Sequence, residues 1–152
     1  VDLATDLEHV QEQPVSTMVG SIVVECVEGA RLRSGRTIEV STDDAVLIVS
    51  PRLYARAVSN LIDNALKYSP SQAAVVVAQS AGRVEVVDAG DGVSAEERRL
   101  VFNRFYRSPN AQLLPGSGIG LAIVRHAAQM HEGEVWFEAN EGRGSRVGFS
   151  VS

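Results

Sequence analysis

The stretch Asn60-Leu-Ile-Asp-Asn-Ala-Leu-Lys-Tyr68 combines the hydrophobic spacing of a helix with polar side chains in the middle of that helix. At about 100° per residue, one face carries four polar residues: Asn60, Asp63, Asn64 and Lys67. The opposite face is apolar and continues a stripe that starts earlier in the chain: Tyr54, Val58, Leu61, Ile62, Ala65 and Leu66. Asparagine is a poor helix former because its short amide competes for the backbone, so two asparagines one turn apart indicate a role beyond helix formation.

The polar face has the chemistry of a metal–nucleotide site. The side-chain oxygens of Asn60 and Asn64 can bind a hard metal ion, and Lys67, a further turn on, can bind an anion. The chain has thirteen arginines and one lysine, so a compact point charge is used at this position alone. A solvated helix face would have a similar composition, and this segment by itself leaves both interpretations open.

The length and composition exclude several classes of protein. A chain of 152 residues with 45% hydrophobic and 22% charged residues is typical of one globular domain with its own core. The net charge of −5 argues against non-specific nucleic-acid binding, so we expect no nucleic-acid partner. Cys26 is the only cysteine, which excludes an intrachain disulfide and fits a reducing compartment. No apolar run reaches membrane length, and the absence of a starting methionine or signal peptide leads us to expect a piece of a longer protein.

The first half of the chain predicts two helices and two strands. The expected elements are a helical or loose lead-in over residues 1–16, a helix over 17–35, strands over 37–41 and 45–49, and a helix over 50–69. Gly35 is expected to end the first helix. The polar turn at 42–44 joins the two strands. Ser50 as the cap and Pro51 in the first turn start the second helix, which contains the opening stretch.

The second half predicts four strands, one main helix and a long connection. The expected elements are strands over 73–79 and 83–88, a short helix from 94, a helix over 118–132, and strands over 135–139 and 146–151. Short turns at Ala81-Gly82 and Gly142-Arg-Gly144 join the strand pairs, and Gly133 is expected to stop the helix. Residues 102–117 lack periodicity, which is typical of a functional or disordered loop. The pattern predicts an α+β fold, a two-layer α/β sandwich with one helical face.

Asp88-Ala-Gly-Asp-Gly92 directly follows one of the predicted strands. A carboxylate at the end of a strand can accept a hydrogen bond from an exocyclic amine, and Gly90 and Gly92 let the backbone approach a flat ligand closely. The segment does not fit a calcium loop, because Gly90 occupies a position that requires an oxygen ligand. Asp-Gly turns are common, so the motif is weak by itself.

Two further motifs lie between Asp88 and the last helix. Gly116-Ser-Gly-Ile-Gly120 leads into that helix, whose first N–H groups could face a phosphate. It is not the dinucleotide-binding fingerprint, because the third glycine comes too early and no strand precedes it. Phe102-Asn-Arg-Phe-Tyr-Arg107 places three aromatics beside two arginines, which suggests docking onto a partner or a ligand. A plain glycine-rich turn and local packing of the loop are the alternatives.

Taken in this order, the four segments resemble the catalytic ATP-binding domain of bacterial sensor histidine kinases, a branch of the GHKL ATPases that also include gyrase B and heat-shock chaperones. The resemblance covers about residues 15–152. Its matched motifs are the N box at 60–68, the first glycine box at 88–92, the F box at 102–107 and the second glycine box at 116–120. The F box favours histidine kinases over the other branches. The resemblance implies a Bergerat fold, in which three helices cover one face of a mixed sheet, with a catalytic domain over 17–152 and a long mobile ATP lid at about 94–117.

The resemblance also implies a role for each matched position. Asn64 is the expected main Mg²⁺ ligand, Asn60 assists it, and Lys67 reaches the phosphate oxygens; these three are the expected catalytic residues. Asp88 is expected to bind the adenine amino group of ATP. The other positions expected to line the nucleotide pocket or border the triphosphate are Tyr68, Gly90, Gly92, Val93, Arg104, Arg107, Gly116, Ser117, Gly118, Ile119, Gly120 and Leu121.

The function implied by the resemblance is phosphoryl transfer. The domain would bind Mg-ATP and donate the γ-phosphoryl group to a histidine on a separate dimerisation and phosphoacceptor domain, which Phe102 and Phe105 would contact. The further expected partner is a cognate response regulator. The full-length protein is expected to be a membrane-anchored homodimer with this domain in the cytoplasm, and the isolated domain is expected to be a monomer. A serine kinase of the anti-sigma type and a non-catalytic nucleotide-sensing module are the alternatives.

None of the three histidines of the chain fits the phosphoacceptor pattern. His9 has Pro14 at the family's spacing, but Val10 stands in place of the acidic neighbour, and the family's helical hairpin cannot fit between His9 and the ATP domain. We expect His126 at the surface and His131 at the end of the last helix, near its dipole. The chain is therefore not expected to autophosphorylate by itself.

Overall fold

The computed structural model describes residues 13–69, 73–88, 120–139 and 145–152. Within these ranges the elements are β1 (Val15–Met18), α1 (Val19–Ser34), β2 (Ile38–Ser41), β3 (Val46–Val49), α2 (Pro51–Tyr68), β4 (Val75–Ser80), β5 (Arg83–Asp88), α3 (Gly120–Met130), β6 (Val135–Ala139) and β7 (Ser145–Ser150). Residues 1–12, the predicted lid at 94–117 with Phe102 and Phe105, and the turn at 142–144 lie outside the described residues.

Two sheets organise these strands. Five strands form a mixed sheet in the order β2-β4-β5-β7-β6, in which β2 runs parallel to β4 and the other neighbours are antiparallel. Strands β1 and β3 form a separate antiparallel pair. Helix α2 packs against α1, α3 and β5, and α3 packs against β7. Three helices against a mixed sheet confirm the predicted α+β sandwich.

The core lies between the helices and one face of the five-stranded sheet. Alternate residues of the central strands are buried, as expected for a sheet covered on one side: Val75, Val77, Val84, Val86, Val147 and Phe149. The ring of Tyr54 in α2 meets that of Phe149 edge to face, with centroids 5.6 Å apart. Burial raises the pKa of Tyr54, and its hydroxyl has no hydrogen-bond partner among the described residues. This tyrosine therefore contributes mainly as a large apolar body.

Several local predictions are confirmed. Pro51 lies in the first turn of α2. Strands β4 and β5 pair through Ser80 and Arg83 around the two-residue turn at 81–82. Gly35 ends α1 with φ 67°, and its N–H donates to the carbonyl of Arg31 at 2.9 Å. These features depend on neighbouring residues, which is why the sequence predicts them well.

One predicted helix boundary is wrong, and two correctly located features have contacts that the sequence did not predict. Thr17 lies in β1, so the helix predicted from this residue begins two residues later. The strands on either side of residues 42–44 do not pair with each other, because β2 pairs with β4 and β3 pairs with β1. Ser50 occupies the cap position of α2, but its side chain makes no capping hydrogen bond.

The end of α3 also differs from the expectation. The helix stops at Met130, and the residue in the left-handed conformation is Glu132, with φ 56°, rather than Gly133. The N–H of Gly133 donates to the carbonyl of Ala128 at 2.8 Å and closes the helix end. His131 does lie at the helix end, and it is buried, at 7% exposure.

The outer face of the sheet carries a polar cluster around the only tryptophan of the chain. The indole N–H of Trp136 donates to Glu85 Oε2 at 2.9 Å, and the guanidinium of Arg83 lies 4.2 Å from the ring centroid. Glu85 also pairs with Arg146 at 2.8 Å. Strands β5, β6 and β7 are thus linked across this face. Among the described residues, none of the helices has the length and apolar character of a membrane span.

Candidate functional site

The apolar and polar faces of α2 differ in their burial. The apolar face is buried: Tyr54, Ala57, Val58, Leu61, Ile62 and Ala65. On the polar face, Asn60, Asn64 and Lys67 are half-buried, whereas Asp63 is exposed. Asp63 pairs with Arg33 at the end of α1 at 3.1 Å. The predicted polar stripe is therefore divided: Asp63 is exposed and connects two helices, whereas the two asparagines and the lysine are half-buried.

Asp88 is the last residue of β5 and is buried, at 3% exposure. It pairs in register with Ser145, the first residue of β7, whose hydroxyl donates to Asp88 Oδ2 at 3.2 Å. A buried carboxylate requires hydrogen-bond donors to offset its desolvation. The end of β5 thus holds an acceptor of the kind expected for a ligand's amino group.

Asp88 and the C-terminal part of α2 lie at the same edge of the sheet. In the β4–β5 ladder Val76 pairs with Val87, which places Asp88 level with Val75, the first residue of β4. Helix α2 packs against β4 and β5, and Arg36 donates both to the carbonyl of Leu66 in α2 and to that of Ala73, just before β4. The strand end with Asp88 therefore lies beside the end of the helix that carries Asn64 and Lys67.

Helix α3 brings its N-terminus towards the same region. His131, just beyond its C-terminus, accepts a hydrogen bond at Nε2 from the backbone N–H of Ser50, which precedes α2, at 3.0 Å. The two packed helices therefore run antiparallel, and the eleven residues of α3 span about 16 Å. Gly120 and the buried Leu121, at the start of α3, consequently lie level with the middle of α2. The N–H groups of a helix start favour anions.

Most of the remaining predicted site residues lie outside the described residues. Tyr68 is the last residue of α2. The predicted positions outside the described residues are Gly90, Gly92, Val93, Arg104, Arg107, Gly116, Ser117, Gly118 and Ile119. The structure thus places Asp88 close to the end of α2 that carries Lys67, and it begins α3 level with the middle of α2.

The amide oxygens of Asn60 and Asn64 fit a magnesium ion chemically. Mg²⁺ prefers oxygen ligands, keeps several waters and commonly takes only one or two ligands from the protein beside substrate phosphates. Two half-buried amides one turn apart on a helix satisfy that requirement. In the described part of the chain, no group of three or more His, Cys, Asp or Glu side chains could hold a metal ion.

Sequence reasoning did not predict the contacts of three residues: Ser145, His131 and Arg36. Ser145 becomes visible only through the β5–β7 register, although it follows a glycine-rich turn. His131 connects α3 to the start of α2 across 81 residues. Its Nδ1 lies 2.7 Å from the carbonyl of Ala127, which fixes the N–H on that nitrogen and leaves Nε2 as the acceptor. Arg36 contacts the end of α2 from the α1–β2 connection.

Known proteins share both the sequence pattern and the fold. The family described as histidine kinase-, DNA gyrase B-, and HSP90-like ATPase matches residues 49–152. The signal transduction histidine-protein kinase/phosphatase MprB of Mycobacterium leprae is 54% identical over 84 residues, which cover 52% of this chain and 16% of that protein. A solved structure of the mycobacterial sensor histidine kinase MprB superimposes with a TM-score of 0.77 at 31% identity, covering 93% of this chain and 97% of that one.

A more distant structure shares the fold. Full-length ShkA in complex with AMPPNP gives a TM-score of 0.75 at 22% identity, over 93% of this chain and 32% of that one. The chain belongs to the histidine kinase-, DNA gyrase B- and HSP90-like ATPase family, and within it to the catalytic domains of sensor histidine kinases. It spans about one sixth of the length of the Mycobacterium leprae protein.

Proposed function

We propose that this domain binds Mg-ATP at the edge of the sheet where Asp88 meets the C-terminal half of α2. Two observations support this most directly: the β4–β5 register sets the buried carboxylate of Asp88 level with the start of β4, and Arg36 connects that start to the last turn of α2. The adenine amino group would donate to Asp88, and the phosphates would extend towards Lys67 and the start of α3. ShkA, which shares the fold, was solved with the ATP analogue AMPPNP.

Each residue on α2 would have a separate task in this site. Asn64, assisted by Asn60, would hold Mg²⁺ through its amide oxygen, and Lys67 would bind phosphate oxygens as a point charge. Bound Mg²⁺ neutralises the charge of the phosphate oxygens. The protein's contribution to phosphoryl transfer is mostly positioning and charge stabilisation, so the geometry of these side chains would set the rate.

The phosphoryl group would pass to a histidine outside this chain. We propose an acceptor on a separate dimerisation domain, with a response regulator as the downstream partner, because relatives are named as histidine kinases and phosphatases of signal transduction. The whole protein would be a membrane-anchored homodimer with this domain in the cytoplasm. Phe102 and Phe105 remain the proposed contact to the acceptor domain.

Substitution of Asn64 tests the nucleotide site. Asn64→Ala should remove the Mg²⁺-dependent part of the ATP affinity, about tenfold or more, if the lost contact is as strong as a hydrogen bond to a charged group, roughly 1.5–3 kcal/mol. Titration calorimetry with and without Mg²⁺ measures this, and circular dichroism checks the fold. Asp63→Ala is the matched control, since Asp63 is one residue away but pairs with Arg33 at the surface. Equal Mg²⁺-dependent affinity in the Asn64→Ala variant and the unchanged chain would refute the ligand assignment.

Phosphoryl transfer needs a second experiment, with labelled ATP. The isolated chain should bind ATP without forming phosphohistidine, and addition of the acceptor domain from the same protein should produce it. Phosphohistidine on the isolated chain would contradict the proposal. Phosphoserine on a partner would indicate the serine kinase alternative, and ATP binding without transfer in the presence of the acceptor domain would indicate a nucleotide-sensing module.

A further inference from the structure

Arg36, in the connection between α1 and β2, reaches the C-terminal end of α2. Its Nη1 donates to the carbonyl of Leu66 at 3.1 Å. Its Nη2 lies 3.3 Å from Ser69 Oγ and 3.3 Å from the carbonyl of Ala73. These three acceptors lie on both sides of residues 70–72. One side chain thus spans from the last turn of α2 to the entry of β4.

The chemistry of arginine suits this position. The last carbonyls of a helix have no intrahelical donor, and a cation near them is favoured by the helix dipole. The planar guanidinium can donate in several fixed directions at once, whereas a lysine ammonium is a single point charge on a flexible stem. Arg36 is half-buried, so its hydrogen bonds are sheltered from solvent. The Leu66 carbonyl belongs to the same peptide unit as the N–H of Lys67.

We propose that Arg36 is a positioning residue for the phosphate side of the nucleotide site. By fixing the Leu66 carbonyl, it fixes the direction in which Lys67 leaves α2 relative to the sheet edge with Asp88. Asp88 is itself held by the ladder of β4, β5 and β7, in which Arg36 takes no part. The inference rests on the proposed function. A binding site depends on the residues that support its contacting side chains, and a small displacement there is enough to weaken recognition.

The proposal predicts a selective loss of triphosphate recognition. Arg36→Gln should weaken ATP binding about five- to tenfold, the equivalent of about one hydrogen bond, while the affinity for adenosine stays the same. Arg36→Lys keeps the charge and should show a smaller loss of the same kind. A residue that only stabilised the fold would weaken both ligands together. The measurement is the ratio of the ATP and adenosine dissociation constants, from competition against a fluorescent ATP analogue in the presence of Mg²⁺.

Arg33→Gln provides the matched control. Arg33 also contacts α2, through an exposed pair with the Asp63 side chain, and its substitution makes the same change in charge. We expect this variant to have the same ratio of ATP and adenosine dissociation constants as the unchanged chain. An unchanged ratio in both Arg36 variants, or an equal loss for ATP and adenosine, would overturn the inference while leaving the proposed function intact. If Arg36→Gln does not fold, the ratio of the ATP and adenosine dissociation constants of Arg36→Lys tests the inference instead. A chain that binds no ATP before substitution would overturn the proposed function and this inference with it.

Discussion

The two ends of β5 satisfy their polar groups in different ways. At the Arg83 end, the carboxylate of Asp43 accepts hydrogen bonds from the N–H of Ala45 at 3.0 Å, from Gln79 Nε2 at 2.8 Å and from the N–H of Ala81 at 2.7 Å. The side-chain Oε1 of Gln79 in turn accepts from the N–H of Asp43 at 2.9 Å. The chain itself thus supplies the donors around this aspartate. These hydrogen bonds connect the segment between β2 and β3 to the β4–β5 turn.

At the other end, Asp88 is far more buried than Asp43 and lies beside the end of α2 and the start of β7. Its hydroxyl donor is Ser145, and in the proposed function a ligand amine also donates to it. Strand β5, which has six residues and is about 20 Å long, separates the two ends. We therefore expect substitutions at the turn end to change stability, and substitutions at the Asp88 end to change ligand affinity.

The largest expected effect is at the turn. Gly82→Ala should lower the free energy of unfolding by about 2–4 kcal/mol, because a side chain there must displace neighbouring backbone. The added Cβ would lie 2.1 Å from the carbonyl oxygen of Val151, which is backbone and cannot move cheaply. Urea denaturation measures the change.

Ala81→Gly is the control at the adjacent position. Ala81 has φ 49°, a left-handed conformation that glycine adopts without strain, so the stability should change by less than about 1 kcal/mol. A Gly82→Ala variant as stable as Ala81→Gly would show that the turn is not held as tightly as the distances indicate.

The second effect concerns affinity at the opposite end. Asp88→Asn should weaken ATP binding about 10- to 100-fold, because a hydrogen bond to a charged group contributes roughly 1.5–3 kcal/mol. The melting temperature should change little, since the amide oxygen can still accept from the Ser145 hydroxyl. Titration calorimetry and thermal melting give the two readouts. A variant that loses stability but retains ATP affinity would reverse the proposed contrast between the two aspartates.

The smallest effect is a change in the pH dependence of stability. The backbone N–H groups of Ala81 and Ala45, followed by the Gln79 amide, hold the pKa of Asp43 below its ordinary value of 3.8. A carboxyl group with a lower pKa in the folded state stabilises above its unfolded pKa, and this stabilisation is lost as the pH falls through the folded pKa. Asp43→Asn should therefore be less stable at neutral pH and lose less stability on acidification.

Melting temperatures between about pH 7 and pH 3 test this prediction. Asp44→Asn controls for the loss of one negative charge, because Asp44 is the exposed neighbour in the same turn. An acid dependence of Asp43→Asn that is identical to that of the unchanged chain would contradict the assignment of these hydrogen bonds.

The sequence predicted the features that depend on neighbouring residues. The two faces of α2 follow from helical spacing, and the hairpin at 81–82 follows from two β-rich segments beside a short turn. The order of the motifs also predicted which residues form the candidate site. These signals lie within a short segment or a single element, so a single sequence is sufficient to predict them.

The missed features depend on contacts between distant residues. Four residues of β1 give a weak strand signal, and their pairing with β3 follows from tertiary structure. Strands β2 and β4 pair although β3 and the whole of α2 lie between them in the sequence. The His131–Ser50 hydrogen bond likewise joins residues 81 positions apart. The contacts of Arg36 with backbone carbonyls are also unpredictable from the sequence, because every residue has a carbonyl and only the structure shows which ones accept a hydrogen bond.

The position of Trp136 makes the outer face of the sheet optically observable. As the only tryptophan of the chain, it dominates the emission excited near the red edge of the protein absorption band. Its indole is hydrogen-bonded to Glu85 and covered by the guanidinium of Arg83, so its spectrum reports whether β5 and β6 are assembled. Intrinsic fluorescence can therefore follow the integrity of the sheet during a nucleotide titration and reveal whether a variant with weakened binding has kept its fold.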